Sequence, residues 1–133
     1  MILDTCFCVD LMRENQKKQD GPAVKKLKEL GDVPVFMSVF VMCELQAGVC
    51  LSNDPEQELK KVELFAEYVD ILYPDRAFSA VYGETLARCR KNGIAVSTMD
   101  LLIGVSAKCV SMPVLTRNVR DFEKIPDLVV IGY

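Results

Sequence analysis

Apolar and polar positions follow two rhythms along the chain, one short and one helical. Met1-Ile2-Leu3 is an apolar run that breaks directly into Asp4, and apolar positions then recur at Phe7, Val9, Leu11 and Met12. That pattern predicts a buried strand, its carboxyl end and a helix start. The segment from Cys6 to Glu14 fades into the polar stretch Asn15 to Asp20. Gly21-Pro22 restarts a helix with Val24, Leu27 and Leu30 inward, Lys25, Lys26 and Lys28 on a solvated face, and Gly31 at its end. Val33-Pro34-Val35-Phe36-Met37 is β-branched and aromatic after a Gly-Asp turn and reads as the second strand, with Pro34 among its first positions.

Ser38 then caps a helix through Val41, Met42, Leu45 and Val49 that carries Glu44. Asn53-Asp54-Pro55-Glu56 starts another, with Leu59, Val62, Phe65 and Ala66 on one face. Val69 to Tyr73 reads either as a short strand or as a buried connection. Pro74-Asp75 opens a long helix with Phe78, Val81, Tyr82, Thr85, Leu86 and Cys89 inward and Arg88, Arg90 and Lys91 in its last turn, closed by Asn92-Gly93. Ser97 starts a helix with Leu102, Val105, Ser106 and Cys109 at i, i+3, i+4 and i+7, ending near Ser111. Pro113 to Thr116 and Leu128 to Ile131 are further strands. Strands alternating with helices imply right-handed crossovers and an α/β fold: a three-layer α/β/α arrangement around a mainly parallel, four- to five-stranded sheet. One domain over residues 1–133 is expected, with no repeat, linker or low-complexity tract.

Composition narrows the chemistry. Histidine is absent from the 133 residues, which removes Ser-His-Asp and Cys-His catalysis and the mixed zinc sites. The six cysteines, at positions 6, 8, 43, 50, 89 and 109, show no C-x-x-C pair and read as small buried hydrophobes in a reducing compartment. No apolar stretch reaches the ~20 residues of a membrane span, and the N-terminus lacks the pattern of a signal peptide, so a soluble cytoplasmic protein is expected. A net charge of −3 argues against simple non-specific attraction to phosphate backbones. It is compatible with an enzyme whose acids hold metal while basic residues elsewhere meet phosphates.

Four acids carry the candidate chemistry, and each also has a plainer role. Asp4 serves as a helix cap, Asp100 completes an S/T-x-x-D capping box with Ser97, and Asp121 sits among Arg117, Arg120 and Glu123 as a solvated loop acid. Glu44 differs, because Val41-Met42-Cys43 and Leu45 surround it with little polarity, and a half-buried lone carboxylate is costly. The expected fold places Asp4 and Thr116 at carboxyl ends of strands, and Glu44 and Asp100 early in helices that leave the same edge. In open α/β sheets ligands bind there. Two carboxylates ~4 Å apart repel by about 4 kcal/mol at an effective dielectric of 20. Such a cluster wants a cation, and oxygen-only ligation suits Mg2+ or Mn2+ in phosphodiester hydrolysis.

Met1-Ile2-Leu3-Asp4-Thr5, Glu44-Leu45-Gln46-Ala47-Gly48, Asp100-Leu101-Leu102-Ile103-Gly104 and Thr116-Arg117-Asn118-Val119-Arg120-Asp121-Phe122 occur in this order. In order and spacing they resemble PIN-domain ribonucleases, and among these the VapC-type toxins of toxin–antitoxin pairs. The resemblance covers essentially the whole chain, and the last block is its most specific part. It implies an acidic catalytic site of Asp4, Glu44, Asp100 and Asp121, with Asp4, Asp100 and Asp121 toward the metal and Thr5, Thr116 and Asn118 in support. It also implies cleavage of single-stranded or structured RNA, pairing as a homodimer, and silencing by a cognate antitoxin protein. The chain departs from the family where Cys6 replaces the usual Asn after Asp-Thr, and where Ser97 to Met99 lack an additional acid. Since the family uses acids at the positions of both Asn118 and Asp121, either is a candidate for the place nearer the ion.

Arg117 is the leading candidate for substrate phosphate, ahead of Arg88, Arg90, Lys91 and Arg120. No tryptophan is present and no aromatic platform for base stacking is evident. Haloacid-dehalogenase-type phosphohydrolases require a second Asp where Cys6 stands, and response-regulator receivers require adjacent acids and a late lysine that this chain lacks. The remaining alternative to a nuclease is a PIN-like module that binds RNA or protein without cutting.

Overall fold

Ile2 and Leu3 expose no surface at all, although consecutive strand residues point to opposite faces of a sheet. Both faces must therefore be covered. In the computed structural model, which describes residues 1–133, the strands are β1 (Ile2–Leu3), β2 (Phe36–Ser38), β3 (Asp70–Leu72), β4 (Val114–Thr116) and β5 (Val130–Gly132). They pair in the order β3-β2-β1-β4-β5, and every pair is parallel. A parallel sheet needs a crossover after each strand, and helices on both faces make these strands read as continuous apolar runs.

The helices are α1 (Thr5–Gln16), α2 (Pro22–Leu30), α3 (Val39–Cys50), α4 (Pro55–Ala66), α5 (Phe78–Lys91), α6 (Thr98–Cys109) and α7 (Val119–Phe122). None is long and apolar enough to cross a membrane. The core joins the sheet to Phe7, Leu11, Val41, Leu45, Val62, Phe65, Leu101 and Phe122 from five of them. Parallel pairing brings the carboxyl ends of the three central strands to one edge. Leu3 is level with Met37 and Leu115, so the next residues, Asp4, Ser38 and Thr116, lie side by side.

Two local departures from the sequence pattern have physical causes, and one open reading is resolved. β2 begins at Phe36 rather than Val33, because Pro34 has no N–H for a ladder and its carbonyl instead accepts the Met1 amine at 2.8 Å. Val69 to Tyr73 does contain a strand, since β3 pairs with β2 along its whole length. The expected inward positions Leu102 and Cys109 of α6 are only half-buried, while Leu101, Ile103, Gly104, Val105 and Ala107 are buried. α5, α3 and α7 all pack on α6, so its sequence carries no one-sided period. Gly104 lies so close to the segment after α7 that a Cβ there would come 2.6 Å from Ile125 Cδ1.

The α1–α2 hairpin is closed by an acid from the first helix. Gly21 offers α2 no capping side chain, and the Glu14 carboxylate accepts the N–H groups of Val24 at 2.8 Å and Ala23 at 3.3 Å. Negative charge at a helix N-terminus also meets the helix dipole favourably. Glu14→Ala is expected to lower the unfolding free energy by about 0.5–2 kcal/mol, the range for a lost cap. Urea denaturation measures this, and an unchanged midpoint would contradict the capping role.

Candidate active site

Asp4 is the first residue beyond β1 and the N-cap of α1, and only 4% of its surface is exposed. Its two oxygens do different things. Oδ1 accepts the Thr5 N–H at 2.7 Å, which is the cap; Oδ2 accepts the Thr116 hydroxyl at 2.7 Å and the Cys6 thiol at 2.9 Å. Capping therefore uses one oxygen, and Thr116 and Cys6 hold the other. Thr116, fully buried at the end of β4, receives the Asn118 N–H on its Oγ1 at 2.9 Å, which directs its own proton to Asp4. Burial first, and then the bond to Asp4, push the Cys6 thiol up, so it stays protonated and acts as a donor.

The other acids approach from three helices. Glu44 is half-buried in the second turn of α3, and the Thr5 hydroxyl donates to its Oε2, tying α3 to the start of α1. Asp100 is the third residue of α6, where Ser97 Oγ accepts its N–H at 3.1 Å and completes the helix cap. Its carboxyl is pushed up by burial and, beyond that, by the negative charges of Asp4 and Asp121. Those three acids thus share one field. Asp121, on α7, is exposed and receives Lys124 Nζ at 2.6 Å.

The donor chemistry of this edge, carboxylates without histidine, fits a hard divalent cation. No three acidic or thiol side chains stand close enough to form a closed cage. Mg2+ does not require one, since it keeps several waters and commonly takes only one or two protein carboxylates plus substrate phosphate. Asp4 and Asp100 have the donor chemistry for that role.

Some residues lie elsewhere than the sequence suggested. The Asn118 side chain is exposed, and its backbone N–H, not its amide, joins the site. Arg88 pairs with Asp127, just before β5 and so at the opposite edge of the sheet. Arg117 points back over α1 to Asp10, a buried carboxylate absent from the four-acid set. The signal for Asp10 was its position in α1: three residues after Phe7 and beside Leu11, it stands in the inward phase of the helix.

The raised Asp100 value fixes the sign of a pH effect. A carboxyl that holds its proton more tightly when folded destabilises the fold once ionised, and the penalty vanishes when both states are protonated. In EDTA, Asp100→Asn should raise the melting temperature near pH 7, with the gain disappearing as pH falls below about 4. Thermal melts across pH test this; a variant less stable than the parent at pH 7 would contradict it.

Comparison with known proteins agrees with the fold. The PIN domain family model matches residues 1–128. Ribonuclease VapC1 of Haemophilus influenzae (strain R2866) is 32% identical over 127 residues, covering 96% of this chain and 92% of the relative. The tRNA(fMet)-specific endonuclease VapC of Shigella flexneri is 27% identical, again over 96% and 92% of the two chains. Among solved structures, VapBC2 from Rickettsia felis, crystallised with a DNA fragment from its promoter, superposes with a TM-score of 0.88 at 27% identity, covering 99% of this chain and 97% of that one. The chain belongs to the PIN-domain family and, within it, to the VapC type.

Proposed function

We propose that this protein is a divalent-metal-dependent endoribonuclease, the toxin of a toxin–antitoxin pair, whose catalytic acids are Asp4, Glu44, Asp100 and Asp121. The observation that carries the reading is Asp4, buried at the sheet edge with one oxygen in the helix cap and the other held by Thr116 and Cys6, within the field it shares with Asp100 and Asp121. Asp4 and Asp100 would hold Mg2+ or Mn2+ directly, with Asp121 reaching it through the ion's water. When bound, such an ion lowers the pKa of water and stabilises charge on the transferring phosphate.

The remaining roles belong to the chain's own side chains. Thr116 and Cys6 fix the Asp4 carboxylate through Oδ2. Glu44 has one oxygen occupied by Thr5 and the other free of protein donors, which suits it to orient an attacking water and take its proton. Arg117 meets a phosphate of the substrate, single-stranded or structured RNA; one relative is named for a tRNA target. A cognate antitoxin is the expected protein partner, since similar chains are solved as VapBC assemblies. We take residues 1–133 as one catalytic domain that works as a homodimer in the cytoplasm. A non-cutting binding module is the less favoured reading, because the curated relatives are named ribonucleases and the four acids are all present.

Cleavage of RNA should require Mg2+ or Mn2+, stop with EDTA, and fall at least about a hundredfold in kcat in Asp4→Asn, the scale of losing one electrostatic contact to the reacting centre. Cleavage in EDTA, or an unimpaired Asp4→Asn variant, would sink the mechanism. Thr116→Val should raise the Mg2+ concentration for half-maximal cleavage by about 10–100-fold, as expected for a residue that orients a metal-binding carboxylate. An unchanged Mg2+ titration would show that Thr116 has no such part.

A further inference from the structure

Beside the acidic cluster lies a second buried carboxylate with a different set of partners. Asp10 Oδ2 accepts Arg117 Nη1 at 2.7 Å and the Tyr133 hydroxyl at 3.0 Å, and Oδ1 accepts Arg13 Nη1 at 3.4 Å. Arg117 and Tyr133 lie more than a hundred residues from Asp10 in sequence, on the segments after β4 and β5, while Arg13 stands beside it on α1. The Tyr133 ring is itself held, packing edge-on against Phe7 with centroids 4.8 Å apart. We propose that Asp10 and Tyr133 are positioning residues that set the Arg117 guanidinium at the mouth of the active site, where it takes an RNA phosphate beside the bond to be cut. The proposal rests on the ribonuclease reading above.

Burial and charge both support that assignment. The Asp10 side chain is 12% exposed and that of Arg117 is 60% exposed, so the anchor is inside and the arginine outside. A guanidinium has five N–H donors in a planar fork, and the bond to Asp10 uses one. The others remain for a ligand. With Arg13 on the same carboxylate, two guanidiniums face one acid, and the cluster keeps a net positive charge next to a site that is otherwise negative. An arginine already held in place loses less freedom when it meets phosphate.

Placement fits a neighbouring phosphate rather than the reacting one. Arg117 directly follows Thr116, and its own N–H donates to Cys6 Sγ at 3.4 Å, so its backbone belongs to the Asp4 site. Asp10 lies six residues beyond Asp4, which is about 9 Å along α1. The side chain thus spans from the acid cluster to a point roughly a turn and a half further along the helix.

The test uses the full chain in an Asp4→Asn background, which prevents cutting. A fluorescein-labelled single-stranded RNA of about 20 nucleotides, long enough to fill a binding groove, is titrated by anisotropy over a salt series in EDTA. Arg117→Ala should weaken binding about tenfold near physiological salt and flatten the slope of log K against log salt by about 0.7, the value for one single-strand phosphate contact. Asp10→Asn and Tyr133→Phe should shift both quantities part of the way in the same direction, and Asp10→Asn should add nothing to Arg117→Ala. A merely structural role would not move the salt slope, and thermal melts identify any variant that fails to fold. Tyr133→Phe keeps the question open to test if Asp10→Asn does so. Tighter binding with a steeper slope in Asp10→Asn would overturn the proposal, since the carboxylate would then mask the arginine. Unchanged binding by Arg117→Ala, or an additive loss in the double variant, would overturn it equally. Failure of the underlying reading shows separately, as absence of Mg2+-dependent cutting of the same RNA by the unmodified chain.

Discussion

A carboxylate that is 4% exposed must be supplied with hydrogen-bond donors or lose its charge, and Asp4 is supplied from three directions. The backbone N–H of Thr5 comes from the helix that Asp4 caps, the Thr116 hydroxyl from the neighbouring strand, and the Cys6 thiol from the second residue of that helix. Each donor is in place only if β1 pairs with β4 in its observed register and α1 begins directly after β1. A slip of one residue would turn Thr116 to the other face of the sheet. The requirement to satisfy one buried acid thus fixes strand register, helix start and the position of the catalytic edge together.

The charge arrangement follows from that edge. Three helices bring Glu44, Asp100 and Asp121 toward Asp4, and the protein answers the repulsion only in part. Glu44 is held by a neutral hydroxyl and Asp121 by an exposed lysine, while Asp100 is left with a raised proton affinity. Apart from Lys124 on Asp121, the positive groups named near this edge, Arg13 and Arg117, are paired further out, on Asp10. For the proposed site, which would take a cation and then a polyanion, this ordering puts negative charge at the centre and positive charge around it.

Much of this was legible in the sequence because the relevant signals are local. Ile2-Leu3-Asp4 reads as a strand that ends in an acid, Ser97 as a cap, and Pro22 and Gly31 as helix ends, each with a stereochemical reason confined to a few residues. The limits came where tertiary contact decides. The phase of α6 could not be read, because a helix covered by three neighbours has no polar face to mark. Asp10 is an ordinary helical acid until Arg117 and Tyr133 arrive from the far end of the chain. Arg88 looked like a groove residue from its charge alone, and only the sheet direction shows it pairing at the opposite edge. The four proposed acids were read from the motifs around them, yet which oxygen of Asp4 caps the helix and which meets Thr116 is a property of the fold.

Cys6 shows how such a site tolerates a change at its centre. Where the motif that the sequence resembles has an Asn amide, this chain has a thiol, a weaker donor than an N–H. The thiol nevertheless reaches Asp4 Oδ2, and it also receives the Arg117 N–H, so the position still links the two loops. The strength lost at that bond falls to the others. Thr116 donates to the same oxygen at 2.7 Å, and its alignment is set by the Asn118 N–H behind it. Orientation of Asp4 in this protein therefore depends more on the β4 end and its turn than on the residue two places along, and the Arg117 clamp on Asp10 holds that turn against α1.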